Sequence, residues 1–292
     1  MRIPILAKFS LAALLAAASP GRAKAESQPA LRNAEGGWSI VVQRDGLDEV
    51  EGRKSSWSVR RTYDAEITAP DAAAERTVVW TPRESAVTGV PPVDALALLH
   101  AAPLAFATSS SLKPRELTDW PTVQAAIRAL SLKGTSAEAA QPLLAKLADG
   151  LNAKSAATVL LKPARMLAMP IDIPLPFEAT EPAASPLGGP PVTAVYRFTA
   201  DPEAAPGERA VRYVSTLDPA SVAASTNAML AKLGKPTNAA LQMTRQETCR
   251  FTLDAKTAMP KEAHCTLRTT VAADGKTAER TDNLHVLIER RP

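Results

Sequence analysis

Between Trp38 and Arg83 apolar and polar side chains alternate in short runs punctuated by Gly, Asp and Pro, the two-residue period of half-buried strands. Strands are predicted over Trp38–Gln43, Trp57–Thr68 and Arg76–Thr81, and their order reads as an antiparallel meander. The period then lengthens. Pro92 opens a short helix to His100, Leu104–Thr108 reads as a short strand, and Asp119 ahead of Trp120 and Pro121 opens a helix to about Leu130. Thr135 and Glu138 have capping-box spacing before an apolar face of Leu143, Leu144, Leu147 and Leu151, with Pro142 expected to kink that helix or delay its start. Ser155 to Leu161 continues helically until Pro163.

Eight prolines fall between Pro163 and Pro191, and each lacks a backbone donor, so a long helix or a central strand is excluded there. This stretch is the expected subdomain boundary within a single α+β domain spanning 26–292. Beyond it, Val192–Ala200 and Arg209–Leu217 form a strand pair, and Asp218-Pro219 starts a helix that Gly234 and Pro236 stop. Strands return at Leu241–Leu253, His264–Ala272 and Thr277–Ile288, the last two joined at Asp274-Gly275, a two-residue hairpin signal. The expected architecture is an antiparallel sheet, strongly curved or an incomplete barrel, built from both ends of the chain and packed on a helical middle.

A two-residue turn fixes which residues face each other. With Asp274-Gly275 at the tip, His264 lies opposite His285, on the polar face of its strand. Cys249, Phe251 and Leu253 alternate with Arg250, Thr252 and Asp254, and Cys265 and Leu267 with Thr266 and Arg268, so both cysteines lie on apolar faces. Two cysteines without a CxxC read as one disulfide, Cys249–Cys265.

The run from Phe251 through Asp254, Lys256, Thr257 and Ala258 to Pro260, followed by a strand, Asp274-Gly275-Lys276 and another strand, resembles the periplasmic lipoprotein-carrier type of protein. In that group an incomplete antiparallel barrel wraps over helices, and a strand commonly ends in Asp, Lys, Thr and Gly; Ala258 stands where that glycine is usual. The resemblance implies a concave apolar surface able to hold a lipid or acyl chain.

The first residues change the picture of charge and compartment. Arg2 and Lys8 flank an apolar run from Phe9 to Ala18, and Ala23-Lys24-Ala25 supplies small residues at the positions a signal peptidase reads. A cleaved signal peptide over 1–25 is expected, with a mature start near Glu26 and a periplasmic or secreted product. No later run approaches the length of a membrane helix. The chain holds 34 basic and 30 acidic residues, but Arg2, Lys8, Arg22 and Lys24 account for the surplus, so nucleic acid is excluded as a partner.

Candidate chemistry is sparse. Ser110-Ser111-Leu112-Lys113, Ser225-Thr226-Asn227 and Lys276-Thr277-Ala278 follow the order of penicillin-recognising motifs, but Pro114, the helical setting of Ser225 and the missing glycine argue against that site. His100 reads as a helix-end histidine. His264 and His285 are close enough to share a divalent metal, with no acidic third ligand visible. The acidic run Asp45–Glu51 reads as a solvated hairpin tip, and Trp38, Trp57 and Trp80 are positioned to line a core or a ligand groove. No cofactor is implied. The expectation is a non-enzymatic periplasmic protein binding an apolar, lipid-like small molecule or an envelope protein. An envelope assembly module and a hydrolase with a non-local active site are the alternatives.

Overall fold

The computed structural model describes residues 31–292 apart from 73–74, 97–101, 131–134, 172, 187–188, 235–241 and 274; side chains are also left aside at 94 and 135–140. The segment read as a signal peptide, His100 and Asp274 lie outside the described residues.

The chain opens with β1 (Gly36–Val50), β2 (Arg53–Ile67) and β3 (Arg76–Thr88), then α1 (Val93–Leu96), β4 (Leu104–Thr108) and β5 (Pro114–Leu117). Four helices follow: α2 (Trp120–Ala129), α3 (Thr135–Asp149), α4 (Ala153–Leu160) and α5 (Lys162–Ala168). The remainder is β6 (Phe177–Ala183), β7 (Val192–Ala200), β8 (Glu208–Leu217), α6 (Pro219–Lys232), β9 (Gln242–Asp254), β10 (Pro260–Ala273) and β11 (Lys276–Arg290).

All eleven strands form one open antiparallel sheet in the order β5-β4-β3-β2-β1-β11-β10-β9-β8-β7-β6. Both termini of the folded region therefore meet at its centre, where Ile40 pairs with Ile288 and Val42 with Val286. From β1 the chain meanders to one edge, crosses through the helices to the opposite edge, and meanders back. The crossing puts α4 against β5, α5 against β10 and β11, and α6 against β7 and β9.

Strand formation follows the alternation. In β1, Trp38, Ile40, Val42 and Arg44 are buried and their neighbours are not, and β2 repeats this with Trp57, Val59, Arg61, Tyr63, Ala65 and Ile67. Val50 pairs with Arg53, and the two residues between, Glu51 (φ 51°) and Gly52 (φ 78°), both take the left-handed conformation of a type I′ hairpin turn. Of the acidic run only Glu51 lies at the hairpin tip. Asp45 to Val50 belong to β1 and their carboxylates alternate between the two faces, because the apolar and charged pairs with β2 and β11 extend the ladder to Val50.

The helices follow their caps. Asp119 accepts from Thr122 N at 3.4 Å, Asp218 accepts from Ser221 N at 2.8 Å, and Asn152 with Ser155 forms a capping box. The helix ends before Pro163 as expected, at Leu160, and a further one, α5, begins at Lys162 with Pro163 in its first turn, where proline has no intrahelical donor to lose. One expectation needs correcting. In α3, Leu144 is wholly buried while Leu143, expected beside it on the apolar face, is 49% exposed; the stripe that packs is Leu144, Leu147, Ala148 and Leu151.

The core lies between the inner face of the sheet and the helices. Trp80 packs on Tyr63 and Phe106 with ring centroids 5.2 and 5.8 Å apart, and Phe198 packs on Tyr213 at 4.7 Å. Helical alanines such as Ala156, Ala157, Ala164 and Ala168 are buried there and let the helix backbones approach the sheet. A smaller cluster of Val192, Val222, Met243 and Val271 sits under α6.

The turn between β9 and β10 explains Ala258. Asp254 accepts from the backbone N–H groups of Lys256 and Thr257 and from the Thr257 hydroxyl at 2.8–3.0 Å, which drives the next residue, Ala258, to φ 57°. A Cβ is strained in that region by ~1–2 kcal/mol. Ala258→Gly is expected to leave the protein as stable as before or to stabilise it by up to ~1 kcal/mol, the lost methyl burial offsetting part of the relief. Denaturant unfolding measures this, and a loss of more than about 1 kcal/mol would contradict it.

Candidate functional site

Extending the apolar parity of β9 beyond Cys249 leads to charge rather than to more hydrocarbon. Glu247 and Arg245 share the inner face with Cys249, Phe251 and Leu253. The strand registers carry this polarity across the sheet. One row runs Ser215, Glu247, Leu267, Asp282, Gly46 and Trp57; the next runs Arg245, Thr269, Arg280, Asp48 and Ser55. These two rows separate the main core from the smaller cluster under α6.

Their groups are held by mutual charge and by an aromatic floor. Arg280 donates to Asp282 through Nε at 3.1 Å and through a terminal nitrogen at 3.2 Å, and lies 3.7 Å from Asp48. Arg44 lies 3.7 Å from Asp282, and Lys162 of α5 lies 3.6 Å from Glu247. The guanidiniums of Arg44 and Arg280 sit over the Trp57 ring, 5.5 and 5.9 Å from its centroid. Trp57 Nε1 is itself buried and has no hydrogen-bond partner among the described residues. Burial pushes the Asp48 carboxyl up from its ordinary range, with Arg280 opposing the shift. Burial also works against the positive charge of Arg245.

Where the rows reach β8 and β7 there is a small cleft lined by Ala183, Ala184, Tyr196, Leu217 and Leu267, with Ser215, Arg245 and Glu247 as its polar groups. One wall is hydrocarbon and the other is charged. Burial raises the phenol pKa of both Tyr196, which lines the cleft, and Tyr213, which stands beside it on β8, so both keep their protons.

The residues singled out from sequence are distributed as follows. Cys249 and Cys265 face each other across β9 and β10 and form the disulfide, buried on the inner face. His264 and His285 pair directly, on the outer face, with ring centroids 5.7 Å apart. Glu262, two residues from His264, reaches across to His285 Nε2 at 2.6 Å. Among the described residues no group of three or more His, Cys, Asp or Glu is placed to hold a metal ion. Trp38, Trp57 and Trp80 are all buried on the inner face: Trp38 donates to the Ala34 carbonyl, Trp80 belongs to the aromatic core, and Trp57 lies in the charged rows. Ser110 to Lys113 sit in the turn before β5, whereas Ser225 lies within α6 and donates to the Pro190 carbonyl, near the other edge of the sheet. Sequence reasoning passed over Arg245, Glu247, Arg280 and Asp282, although each is in phase with apolar residues of its own strand.

A second charged cluster braces the outer face. The buried Asp201 carboxylate accepts from Arg250 at 2.8 Å, from Arg212 at 2.9 Å and from Glu203 N at 3.1 Å. The Arg250 hydrogen bond leads the interactions that hold its pKa down to about 2, against an ordinary 3.8. A depressed carboxyl stabilises the native state above its ordinary pKa and loses that contribution as pH falls through the native value. Stability is therefore expected to fall between about pH 4 and pH 2, and Asp201→Asn to flatten that part of the profile. Denaturant midpoints taken across that range check it, and an unchanged slope in the variant would contradict it.

No family model and no curated protein matches this chain. Among solved structures it overlaps a lipovitellin structure described for its lipid–protein interactions, with a TM-score of 0.44, 11% identity and coverage of 88% of this chain. It spans 25% of that lipovitellin chain. It also overlaps Ail, the attachment invasion locus protein of Yersinia pestis (TM-score 0.15, 5% identity, 87% of this chain and 99% of that one). Pseudomonas aeruginosa OccK5 (OpdH) overlaps with a TM-score of 0.19, 8% identity and coverage of 87% and 98%. At these TM-scores none of the likenesses carries an argument about this chain.

Proposed function

We propose that this chain is an exported, non-enzymatic protein that binds an apolar, lipid-like molecule on the inner face of its sheet. The observation that supports it is the small cleft on that face, lined by Leu217 and Ala183, which pack on the smaller apolar cluster, by Tyr196, which packs on the larger, and by Leu267. The Cys249–Cys265 disulfide fits an oxidising compartment, and none of the described helices is long and apolar enough to cross a membrane.

Binding of an envelope protein along a sheet edge has less support. β5 offers only four residues, and β6 carries Pro182, which removes a donor; both features blunt strand addition. The test is uptake. Delipidated protein with its disulfide intact is expected to retain a fatty acid, phospholipid or lipopeptide through gel filtration. Failure to retain any of the three would overturn the proposal.

A further inference from the structure

The outer face of the sheet holds a separate cluster. Across β1, β11, β10 and β9 one row of directly paired positions runs Gln43, His285, His264 and Arg250. The two imidazoles are nearest neighbours in that row. His264 is exposed and His285 half-buried, and their ring centres stand 5.7 Å apart. A zinc–nitrogen bond of about 2 Å puts the ion about 3 Å from a ring centre, so two rings that share one ion have centres no more than about 6 Å apart. The pair already has that spacing.

Their neighbours suit a cation. Glu262, two residues before His264 on the same face of β10, contacts His285 Nε2 through Oε1 at 2.6 Å. A neutral His285 that donates its Nε2 proton to this carboxylate keeps its lone pair on Nδ1 and gains basicity there, which is how carboxylates orient metal-binding histidines. Arg250, beside His264 on β9, is engaged by Asp201 at 2.8 Å, so its charge is already answered. Imidazole selects zinc, nickel and copper over calcium and magnesium, which prefer oxygen. Among the described residues no third His, Cys, Asp or Glu completes a ligand set with the pair, which leaves the other coordination positions to water.

We propose that His264 and His285 together hold one exchangeable divalent transition-metal ion on the outer face, with Glu262 positioning the His285 ring. The site is separate from the inner-face cleft and does not depend on it.

Calorimetric titration of the oxidised full chain with zinc chloride tests it, with copper(II) and calcium chloride run beside it. One zinc ion per chain is expected, with copper tighter and calcium without measurable binding. His264→Gln and His285→Gln are each expected to weaken zinc about tenfold or more, and the double variant no further than either single one, because a chelate is lost with its first ligand. Both side chains lie on the outer face, so the substitutions leave the core intact. Glu262→Gln is expected to cause a smaller loss, and nitrogen-resolved spectra of the metal-free protein to show that the same change shifts His285 away from the Nε2–H tautomer. Absence of zinc uptake, unchanged affinity in either single variant, or losses that add in the double variant would each overturn the shared site. A His285 tautomer indifferent to Glu262→Gln would overturn the positioning role.

Discussion

Gly46→Ala is expected to destabilise the protein by ~1–3 kcal/mol, and the same substitution made in a Trp57→Ala background to be neutral or stabilising relative to Trp57→Ala alone. Gly46 and Trp57 are directly paired across β1 and β2, and the indole lies so close to the glycine that a Cβ at position 46 would come within 2.1–2.3 Å of three of its ring atoms. In an ordinary strand a glycine is a liability of ~0.5–1 kcal/mol relative to alanine, because its backbone has more freedom to lose. Here the liability is offset by an indole that is 4% exposed and carries two guanidiniums on its ring. Trp57→Ala alone is expected to cost ~3–5 kcal/mol through lost burial and the cavity left behind. Denaturant unfolding of the two single variants and the double variant completes the cycle. Simple additivity would show that the ring and the glycine are not coupled as the geometry requires.

Removal of the disulfide is the second large effect. Cys249 and Cys265 are directly opposed on neighbouring strands, 16 residues apart, and both are buried on the inner face. The native hairpin already holds them together, so the bond acts chiefly on the unfolded chain, whose loop it keeps closed. The chain-entropy relation gives ~3 kcal/mol for a loop of this length. Cys249→Ala with Cys265→Ala is expected to lose about that amount, with the small void left by two sulfurs adding to it. Reductant is expected to lower the stability of the unaltered protein and to leave the double variant unchanged. Equal stability of the oxidised protein and the double variant would contradict the assignment.

Much of the candidate site was readable but not read. Arg245 and Glu247 stand at odd-numbered positions of β9, in step with Cys249, Phe251 and Leu253, and Arg280 and Asp282 are in step with Leu284 and Val286 on β11. Charge in phase with a buried face is a sequence-level signal. What the sequence lacks is the partner: Asp48 meets Arg280 only because β1 pairs with β11, more than 200 residues later in the chain. The cleft is further removed, since it needs β6 to β10 to be laid side by side.

Pro163 shows the opposite limit. The helix before it stops at Leu160, as its missing donor implies, but the same residue also fits the first turn of α5, where no donor is needed, and that second helix was not legible.

The sequence by itself determined whatever is local. Two-residue alternation produced the strands, Asp119 and Asp218 started helices, and a two-residue turn at 274–275 placed His264 opposite His285 and set both cysteines on the apolar face. Such features follow from contacts a few residues apart, where covalent geometry leaves few alternatives. The tertiary structure alone decided that β1 joins β11 at the centre of one open sheet, that the helices cross its inner face from edge to edge, and that Arg44, Arg245, Arg280 and Trp57 from different strands share that face with Asp48, Glu247 and Asp282. Those outcomes depend on closing long loops, and the free energy that closes them comes from burying the whole apolar face at once rather than from any one segment.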